Sequence, residues 1–215
     1  AASDVYKRQI LACNTASAKA LRTIQQINLP VIDATRRVLG VIRPTAECIG
    51  EITRSRHVGI LATAGTIKSE SYLLEIHKLS PDIVVTGEAC PMWVSLVENN
   101  EYQSEGADYF VKQHINRLLD KDPMIDTIIL GCTHYPLLLD KIRQFTPGHI
   151  RIIAQGEYVA RSLQDYLNRH PEMDARCEKG GKCRFLTTES ENKFEESASI
   201  FLGRQDIKVE SIALE

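Results

Sequence analysis

"TIILGCTHYPLLL", residues 127–139, decides the fold class, because an apolar run ends at a cysteine and a helix-like run follows at once. "ILACNTASAKAL", residues 10–21, repeats this arrangement. A strand that leads directly into a helix is the repeating unit of parallel α/β proteins. We therefore predict an α/β fold of parallel sheets covered by helices, with Cys13 and Cys132 in equivalent positions at strand ends.

The same alternation extends through the rest of the chain. Near-continuous apolar runs, as expected of strands covered on both faces, occupy residues 58–63, 83–87, 127–131 and 150–154. Segments with apolar residues at three- and four-residue spacing predict helices at 15–27, 67–79, 107–119, 136–145 and 157–168. "CRFLTT", a helix over 192–202 and "KVESIAL" add a last unit, while 43–45 and 146–148 interrupt the pattern.

The repeated strand, cysteine and helix unit predicts two pseudo-symmetric lobes that face each other. Each lobe is expected to be a mostly parallel sheet flanked by helices. Lobe 1 comprises residues 1–44 and 155–215, and lobe 2 comprises residues 45–154. Because ligands of open α/β sheets bind beyond the carboxyl ends of the strands, we expect the active site in the cleft between the lobes.

The composition limits the classes of partner. The chain has 215 residues, 43% hydrophobic and 25% charged, with a formal charge of -2. These values are typical of globular proteins and lack the basic excess of a nucleic-acid or membrane-surface binder. Since no apolar run approaches the roughly 18 residues of a membrane span, we expect a cytoplasmic protein without nucleic-acid or membrane partners.

The cysteines and the missing motifs narrow the chemistry. Six cysteines are scattered along the chain, so we expect mostly free thiols. Cys177 and Cys183 could form a disulfide or bind metal, but an exposed insertion is the favoured interpretation. The sequence contains no GxGxxG, GxxxxGK[ST] or GxSxG motif. It therefore lacks the signature motifs of dinucleotide sites, P-loop nucleotide sites and α/β-hydrolase active sites.

The two strand-end thiols suggest acid–base chemistry on an anion. A helix N-terminus lowers the pKa of a thiol, and its N–H groups attract a carboxylate. Asn14 and Thr15 supply polar groups and a cap beside Cys13, while His134 lies close enough in sequence to exchange a proton with Cys132. Each of these residues alone is more often structural, but their joint placement favours a functional site.

Several segments, in order, resemble glutamate racemases of the cofactor-independent aspartate/glutamate racemase superfamily. They are "ACNTAS" (12–17), "GVIRP" (40–44), "ATAGTIKS" (62–69), "ACP" (89–91) with "VE" (97–98), "LGCTHYPLL" (130–138), "GEYVA" (156–160), and "FLTT" and "FLG" near the end. The resemblance covers nearly everything after Gln9. The joint order of these segments makes it specific.

The resemblance implies interconversion of L- and D-glutamate by Cys13 and Cys132, without pyridoxal phosphate, metal or another cofactor. Inversion needs an acid and a base on opposite faces of one carbon, which two opposed thiols supply. His134 is implied to assist Cys132. Glu98 is a further candidate assistant, with a solvent-facing helix carboxylate as the alternative. Substrate contacts are implied for Asn14, Thr15, Thr63, Thr66 and Thr133.

The alternative for Thr63 and Thr66 is a capped strand-to-helix turn. The resemblance also implies a supply of D-glutamate for peptidoglycan and hence for cell-wall biogenesis and cell shape. It allows a homodimer.

The chain departs from the family pattern at its start. A "DSGxGG" segment, which assists the first thiol and binds substrate, and a following "YG" segment are absent, so the first strand-helix units of lobe 1 are expected to be missing. Residues 1–9 are interpreted as a foreign or frayed leader. We expect this truncated chain to be weakly active or inactive. "PVIDATRRVLGVIRP" and "DARCEKGGKCR" are longer than usual, and Ala154 and Gln155 replace a common Asp-Ser pair.

Three other functions remain open from the sequence. An aspartate racemase of the same superfamily would also use two thiols, but the combined motifs favour glutamate. A cysteine hydrolase could use Cys132 with His134 and would not need Cys13. A noncatalytic remnant would bind glutamate poorly and exchange no α-proton.

Overall fold

A four-stranded parallel sheet organises most of the chain. The computed structural model describes residues 8–177 and 179–213. Positions 1–7 of the expected leader, residues 1–9, therefore lie outside the described residues. The strands, in the spatial order β4-β3-β5-β6, are β3 (His57–Ala62), β4 (Val84–Ala89), β5 (Thr127–Gly131) and β6 (Arg151–Ala154). All their pairings are parallel, which confirms the fold class predicted from the strand-helix alternation.

Helices cover both faces of this sheet. They are α4 (Ile42–Ile52), α5 (Ala64–Lys68), α6 (Ser71–Leu79), α7 (Pro91–Glu98), α8 (Glu105–Lys121), α9 (Leu139–Phe145) and α10 (Gln155–Arg169). A 3₁₀ segment, Tyr135–Leu138, precedes α9. Ser104 caps α8 by accepting the N–H of Ala107 at 3.2 Å, which explains why this helix begins before the predicted residue 107.

Successive side chains along each strand point to opposite faces of the sheet, so the hydrophobic core is divided into two layers. Ile60 and Ile129 are register partners and pack with Ile49 of α4 and Ile76 of α6. Their neighbours Leu61 and Leu130 are also partners and face the opposite layer. That layer contains Trp93 of α7, Ile115 and Leu118 of α8, and Ile142 of α9. Each fully buried apolar side chain contributes roughly 1.5–3 kcal/mol, so burial on both faces dominates the stability of this sheet.

A second, two-stranded sheet carries the first thiol. β1 (Arg8–Leu11) pairs in parallel with β2 (Arg37–Gly40). Between them run α1 (Asn14–Lys19), α2 (Leu21–Thr23), a π-helical segment (Ile24–Asn28) and α3 (Leu29–Ile32). Gly40 permits close packing of this helical run, because a Cβ there would lie 2.5 Å from Cδ2 of Leu21 and 3.0 Å from Oγ of Ser17.

Residues 171–215 form a separate compact unit after the unit of residues 1–170. Its elements are α11 (Pro171–Asp174), β7 (Phe185–Thr187), α12 (Glu191–Leu202) and β8 (Val209–Ser211), with β7 and β8 paired in parallel. The predicted last strand-helix-strand unit is therefore present. The division into lobes 1–44 plus 155–215 and 45–154 stays a prediction. No helix within 8–177 and 179–213 combines the length and apolar character needed to span a membrane.

Two local predictions differ from the structure. The "RPT" segment at 43–45 does not interrupt the pattern, because Pro44 lies in the first turn of α4, where a helix makes no use of the missing N–H. The helix predicted over 67–79 is broken between α5 and α6, where Glu70 adopts a left-handed backbone with φ of 53°. Neither feature disturbs the hydrophobic periodicity on which the helix predictions depend.

Candidate active site

The two cysteines follow strands of different sheets. Cys13 precedes the first residue of α1 with an extended backbone and is exposed. Cys132 directly follows Gly131, the last residue of β5, and is only 8% exposed. Burial raises the pKa of the Cys132 thiol, the backbone N–H of His134 lowers it, and the Cys13 and Glu98 charges raise it further. The fold therefore brings the two thiols within electrostatic reach of each other.

His134 and Glu98 form a relay beside Cys132. Nδ1 of His134 lies 3.7 Å from Sγ of Cys132, and Nε2 lies 3.2 Å from Oε1 of Glu98. Glu98 is the last residue of α7, and its carboxylate accepts the Nε2 proton in the tautomer that leaves Nδ1 to accept the thiol proton. Both sequence candidates thus lie where they can act on the second thiol.

Three threonine hydroxyls join the first thiol loop to the main sheet. Oγ1 of Thr15 lies 2.8 Å from Oγ1 of Thr63 and 3.2 Å from Oγ1 of Thr66. Thr63 also caps α5 by accepting the N–H of Thr66 at 3.3 Å. The structural and functional interpretations of Thr63 are compatible, because its partly exposed side chain caps α5 and also lies in contact with Thr15 of the first thiol loop.

The two remaining predicted substrate contacts, Asn14 and Thr133, differ in solvent exposure. Asn14 is buried, and its Oδ1 accepts the hydroxyl proton of Tyr72 at 2.7 Å. Its Nδ2 has no hydrogen-bond partner among the described residues. Thr133 is exposed beside Cys132. All the predicted site residues lie within the unit of residues 1–170.

Two residues that support the site, Tyr72 and Gln155, are not recognisable as such from the sequence. Tyr72 occupies an apolar position of the predicted helix 67–79, and it was absorbed into the hydrophobic pattern. A buried tyrosine hydroxyl nevertheless needs a partner, which is the signal that could have identified it. Gln155 was noted only as a departure from the family, yet it is buried and bonded to Tyr72, Thr45 and Val41.

The remaining cysteines lie apart from this chemistry. None of the six cysteines forms a disulfide, and burial raises the pKa of Cys90 and of the half-buried Cys48. Cys183 is exposed and Cys177 is half-buried. Across 8–177 and 179–213, no three His, Cys, Asp or Glu side chains are grouped as metal ligands.

Comparisons with known proteins agree with these motifs. The sequence pattern of the Asp/Glu/hydantoin racemase family matches residues 2–163. A glutamate racemase of Listeria monocytogenes is 38% identical over 209 residues, which span 97% of this chain and 75% of the relative.

Solved structures give the same result. The crystal structure of glutamate racemase isoform RacE1 from Bacillus anthracis has a TM-score of 0.85 and 35% identity, over 97% of this chain and 74% of that one. The Francisella tularensis glutamate racemase, solved in complex with D-glutamate, has a TM-score of 0.81 and 28% identity over the same shares. The chain therefore belongs to the Asp/Glu/hydantoin racemase family and is an amino-acid racemase.

Proposed function

We propose that this protein interconverts L- and D-glutamate, with Cys13 and Cys132 as the two acid–base groups. The observation that carries the proposal is that hydrogen bonds from Thr15 to Thr63 and Thr66 join the Cys13 loop to the sheet at whose end Cys132 lies, so that the charge of Cys13 raises the pKa of Cys132. The glutamate substrate is supported by the names of the relatives and by the D-glutamate complex of the Francisella tularensis enzyme.

The proposed reaction transfers one proton at each face of the α-carbon. The thiolate of one cysteine removes the α-proton, which leaves a carbanion with enolate character on the substrate carboxylate. The thiol of the opposed cysteine then donates its own proton to the other face of the carbon, and the stereochemistry inverts. After one turnover the two cysteines have exchanged protonation states, so the same site runs in both directions.

His134 manages the proton of Cys132 in this proposal. Because burial raises the pKa of Cys132, its thiol form predominates at neutral pH, and a base is needed before it can accept the α-proton. Nδ1 of His134 is the nearest such base, and Glu98 favours its protonation from the other side of the ring. The contact with Glu98 is exposed, so we assign Glu98 a smaller effect than His134.

The polar groups beside the two thiols fit a dicarboxylic amino acid. Asn14, Thr15, Thr63, Thr66 and Thr133 offer an amide and four hydroxyls, which can bind carboxylate oxygens and the ammonium group. Donors that strengthen as charge develops on the carboxylate stabilise the transition state more than the ground state. As the resemblance implies, this chemistry is supplied by side chains and needs no cofactor.

The wider role is part of the same proposal. D-glutamate made by this enzyme would supply peptidoglycan synthesis in the cytoplasm, and the enzyme would act as a homodimer. Analytical ultracentrifugation tests the homodimer, and D-glutamate auxotrophy after gene deletion tests the cell-wall role.

An isotope experiment tests the function even at low rates. The purified chain is incubated with L-glutamate, and separately with L-aspartate, in D₂O, and the D-enantiomer and its α-deuterium are quantified by chiral chromatography with mass spectrometry. We expect deuterated D-glutamate in excess over D-aspartate, and loss of racemisation in Cys13→Ser and in Cys132→Ser alike.

Two outcomes would contradict the proposal. Production of D-glutamate no faster than in the Cys13→Ser/Cys132→Ser double variant would exclude this activity for the chain. Preferential production of D-aspartate would leave the racemase chemistry intact and overturn the choice of substrate.

A further inference from the structure

One tyrosine links the loops that carry the two thiols. Tyr72 is 4% exposed, and its hydroxyl donates to Oδ1 of Asn14, the residue after Cys13. The ring of the same side chain lies against Gly131, the residue before Cys132, because a Cβ on Gly131 would approach Cε2 of Tyr72 to 3.1 Å. Tyr72 therefore contacts the immediate neighbours of both cysteines.

Gln155 sets the direction of the hydrogen bonds through Tyr72. Its Nε2 lies 3.2 Å from the carbonyl oxygen of Val41, which can only accept, so the amide nitrogen must be the atom on this side. The same nitrogen contacts the hydroxyls of Thr45, at 3.2 Å, and of Tyr72. Since an amide N–H cannot accept, Gln155 donates to Tyr72, and the single proton of Tyr72 is directed to Asn14.

The consequence at Asn14 is a fixed amide orientation. Its Oδ1 is occupied by the proton of Tyr72, so its Nδ2 must be the atom that remains available. Nδ2 is buried and has no hydrogen-bond partner among the described residues. A buried donor without a partner typically costs about 1–3 kcal/mol, and such groups are rare in folded proteins, so each one calls for an explanation such as a bound ligand.

We propose that Tyr72 and Gln155 are positioning residues, which hold the amide of Asn14 with Nδ2 as a hydrogen-bond donor to a carboxylate oxygen of the substrate. The inference deepens the proposed racemase function and rests on it for the identity of the ligand. The donor lies beside Cys13, so it stabilises the negative charge that grows on the substrate carboxylate when the α-proton leaves. Tyr72 and Gln155 act only through Asn14.

Burial supports the assigned proton direction. It raises the pKa of Tyr72 well above its ordinary range, while the hydrogen bond from Gln155 lowers that pKa by less. The phenol therefore keeps its proton at neutral pH. An ionised Tyr72 could only accept and would reverse the orientation of the Asn14 amide.

The first test observes Asn14 directly and does not depend on turnover. Its side-chain NH₂ resonances in a ¹⁵N-labelled protein are assigned by their loss in Asn14→Ala, and their exchange with solvent is measured in wild type and in Tyr72→Phe. We expect exchange at least about tenfold faster in Tyr72→Phe, because the amide loses the hydrogen bond that holds it. Tyr135→Phe is the matched control, since it removes an equally buried hydroxyl that donates to Cys90 instead.

The second test separates proton direction from packing. Gln155→Glu keeps the size of the side chain but replaces the donor with an acceptor, so Tyr72 should turn its proton away from Asn14. Gln155→Met keeps the volume without any hydrogen bond and leaves Tyr72 able to donate to Asn14. We expect fast Asn14 amide exchange in Gln155→Glu and an intermediate rate in Gln155→Met, where the proton of Tyr72 can reach Asn14 but is no longer directed to it, with folding verified by circular dichroism.

Turnover and ligand binding complete the test. In the isotope assay, we expect Tyr72→Phe and Gln155→Glu to lower kcat/KM for glutamate by about tenfold or more, and Gln155→Met by less. Equal Asn14 amide exchange in wild type and Tyr72→Phe, or equal effects of the two Gln155 variants, would overturn the positioning role. A wild-type protein that neither binds nor racemises glutamate would overturn the proposed function, while the amide exchange would still decide the roles of Tyr72 and Gln155.

Discussion

Cys132 is the site residue whose acid–base chemistry depends most clearly on its surroundings. Its thiol is almost fully buried, whereas Cys13 is exposed. In the proposed mechanism, the raised pKa of Cys132 makes it a proton donor at rest, and His134 converts it into a base. The environment of Cys132 can therefore be tested by the pH at which its thiol ionises.

The pH dependence of alkylation at Cys132 tests this environment. We expect the rate of its reaction with iodoacetamide, followed by peptide mass spectrometry, to rise with a midpoint above the ordinary thiol pKa of 9.0. Glu98→Gln should lower this midpoint, because the Glu98 charge raises the pKa of Cys132. Glu101→Gln, at an exposed position nearby, is the control. An unchanged or higher midpoint in Glu98→Gln would contradict the assignment.

Removing His134 should reduce turnover more than removing the charge of Glu98. We expect His134→Ala to lower the racemisation rate by about 10²-fold or more, the usual contribution of a positioned general base, and Glu98→Gln to lower it by less. Glutamate racemisation in D₂O is the measurement, and His149→Ala, at an exposed position, is the control. Equal rates in wild type and His134→Ala would remove His134 from the mechanism.

Sequence patterns identified residues whose role is local in the chain. Cys13 and Cys132 are recognisable because each directly follows an apolar strand, and His134 because it lies two residues after a thiol. Tyr72 and Gln155 were not recognisable, since their hydrogen bonds join elements that are distant in sequence. The orientation of the Asn14 amide depends on the Val41 carbonyl, which acts through Gln155 and Tyr72, and it cannot be predicted from residue types alone.

Strands and helices were predictable from the sequence where all their residues are similarly buried. Every residue of β5 is buried, so its apolar run was unambiguous, whereas β2 is short and begins at the exposed Arg37. The break at Glu70 leaves the apolar spacing intact, so it gave no periodic signal. Pro44 was misinterpreted because a proline at a helix start and a proline in a turn look alike in a single sequence.

The turn between α4 and β3 depends on the carboxylate of Asp126. Its Oδ1 accepts the Thr53 hydroxyl at 2.7 Å, and its Oδ2 accepts the N–H groups of Arg54 and Ser55, each at 2.7 Å. Burial raises the pKa of Asp126, but these hydrogen bonds and one from Thr127 outweigh it and hold the pKa well below its ordinary 3.8. The carboxylate thus joins the end of α4 to the strand β5.

Asp126→Asn should therefore destabilise the protein in a pH-dependent way. Because the folded pKa is depressed, the stabilisation is present above pH 3.8 and is lost as the pH falls from there toward the folded pKa. Solvent partly reaches the carboxylate, so we expect a loss of about 1–2 kcal/mol at pH 7 that shrinks below pH 4. Urea unfolding of both proteins across this range is the measurement, and a loss independent of pH would contradict the ionic role.

At the scale of the whole molecule, the two compact units differ in how much apolar surface they bury. The unit of residues 1–170 has a sheet covered on both faces and contains every predicted site residue. In the described part of residues 171–215, the buried side chains are Met173, Thr187, Ile207 and Val209, and α12 has none. The second unit therefore has little internal core to oppose local opening.

Hydrogen exchange should reveal this difference. We expect backbone amides of β7 and β8, which form a sheet of two three-residue strands, to exchange at least about tenfold faster than those of β5 in deuterium-exchange mass spectrometry. Val209→Ala should accelerate exchange in β7 and β8 further, because it removes one of the few buried apolar groups, and should leave β5 unchanged. Equal protection of the two units would show that the second unit owes its stability to interactions beyond its own core, and a simultaneous acceleration of β5 would show that both units open together.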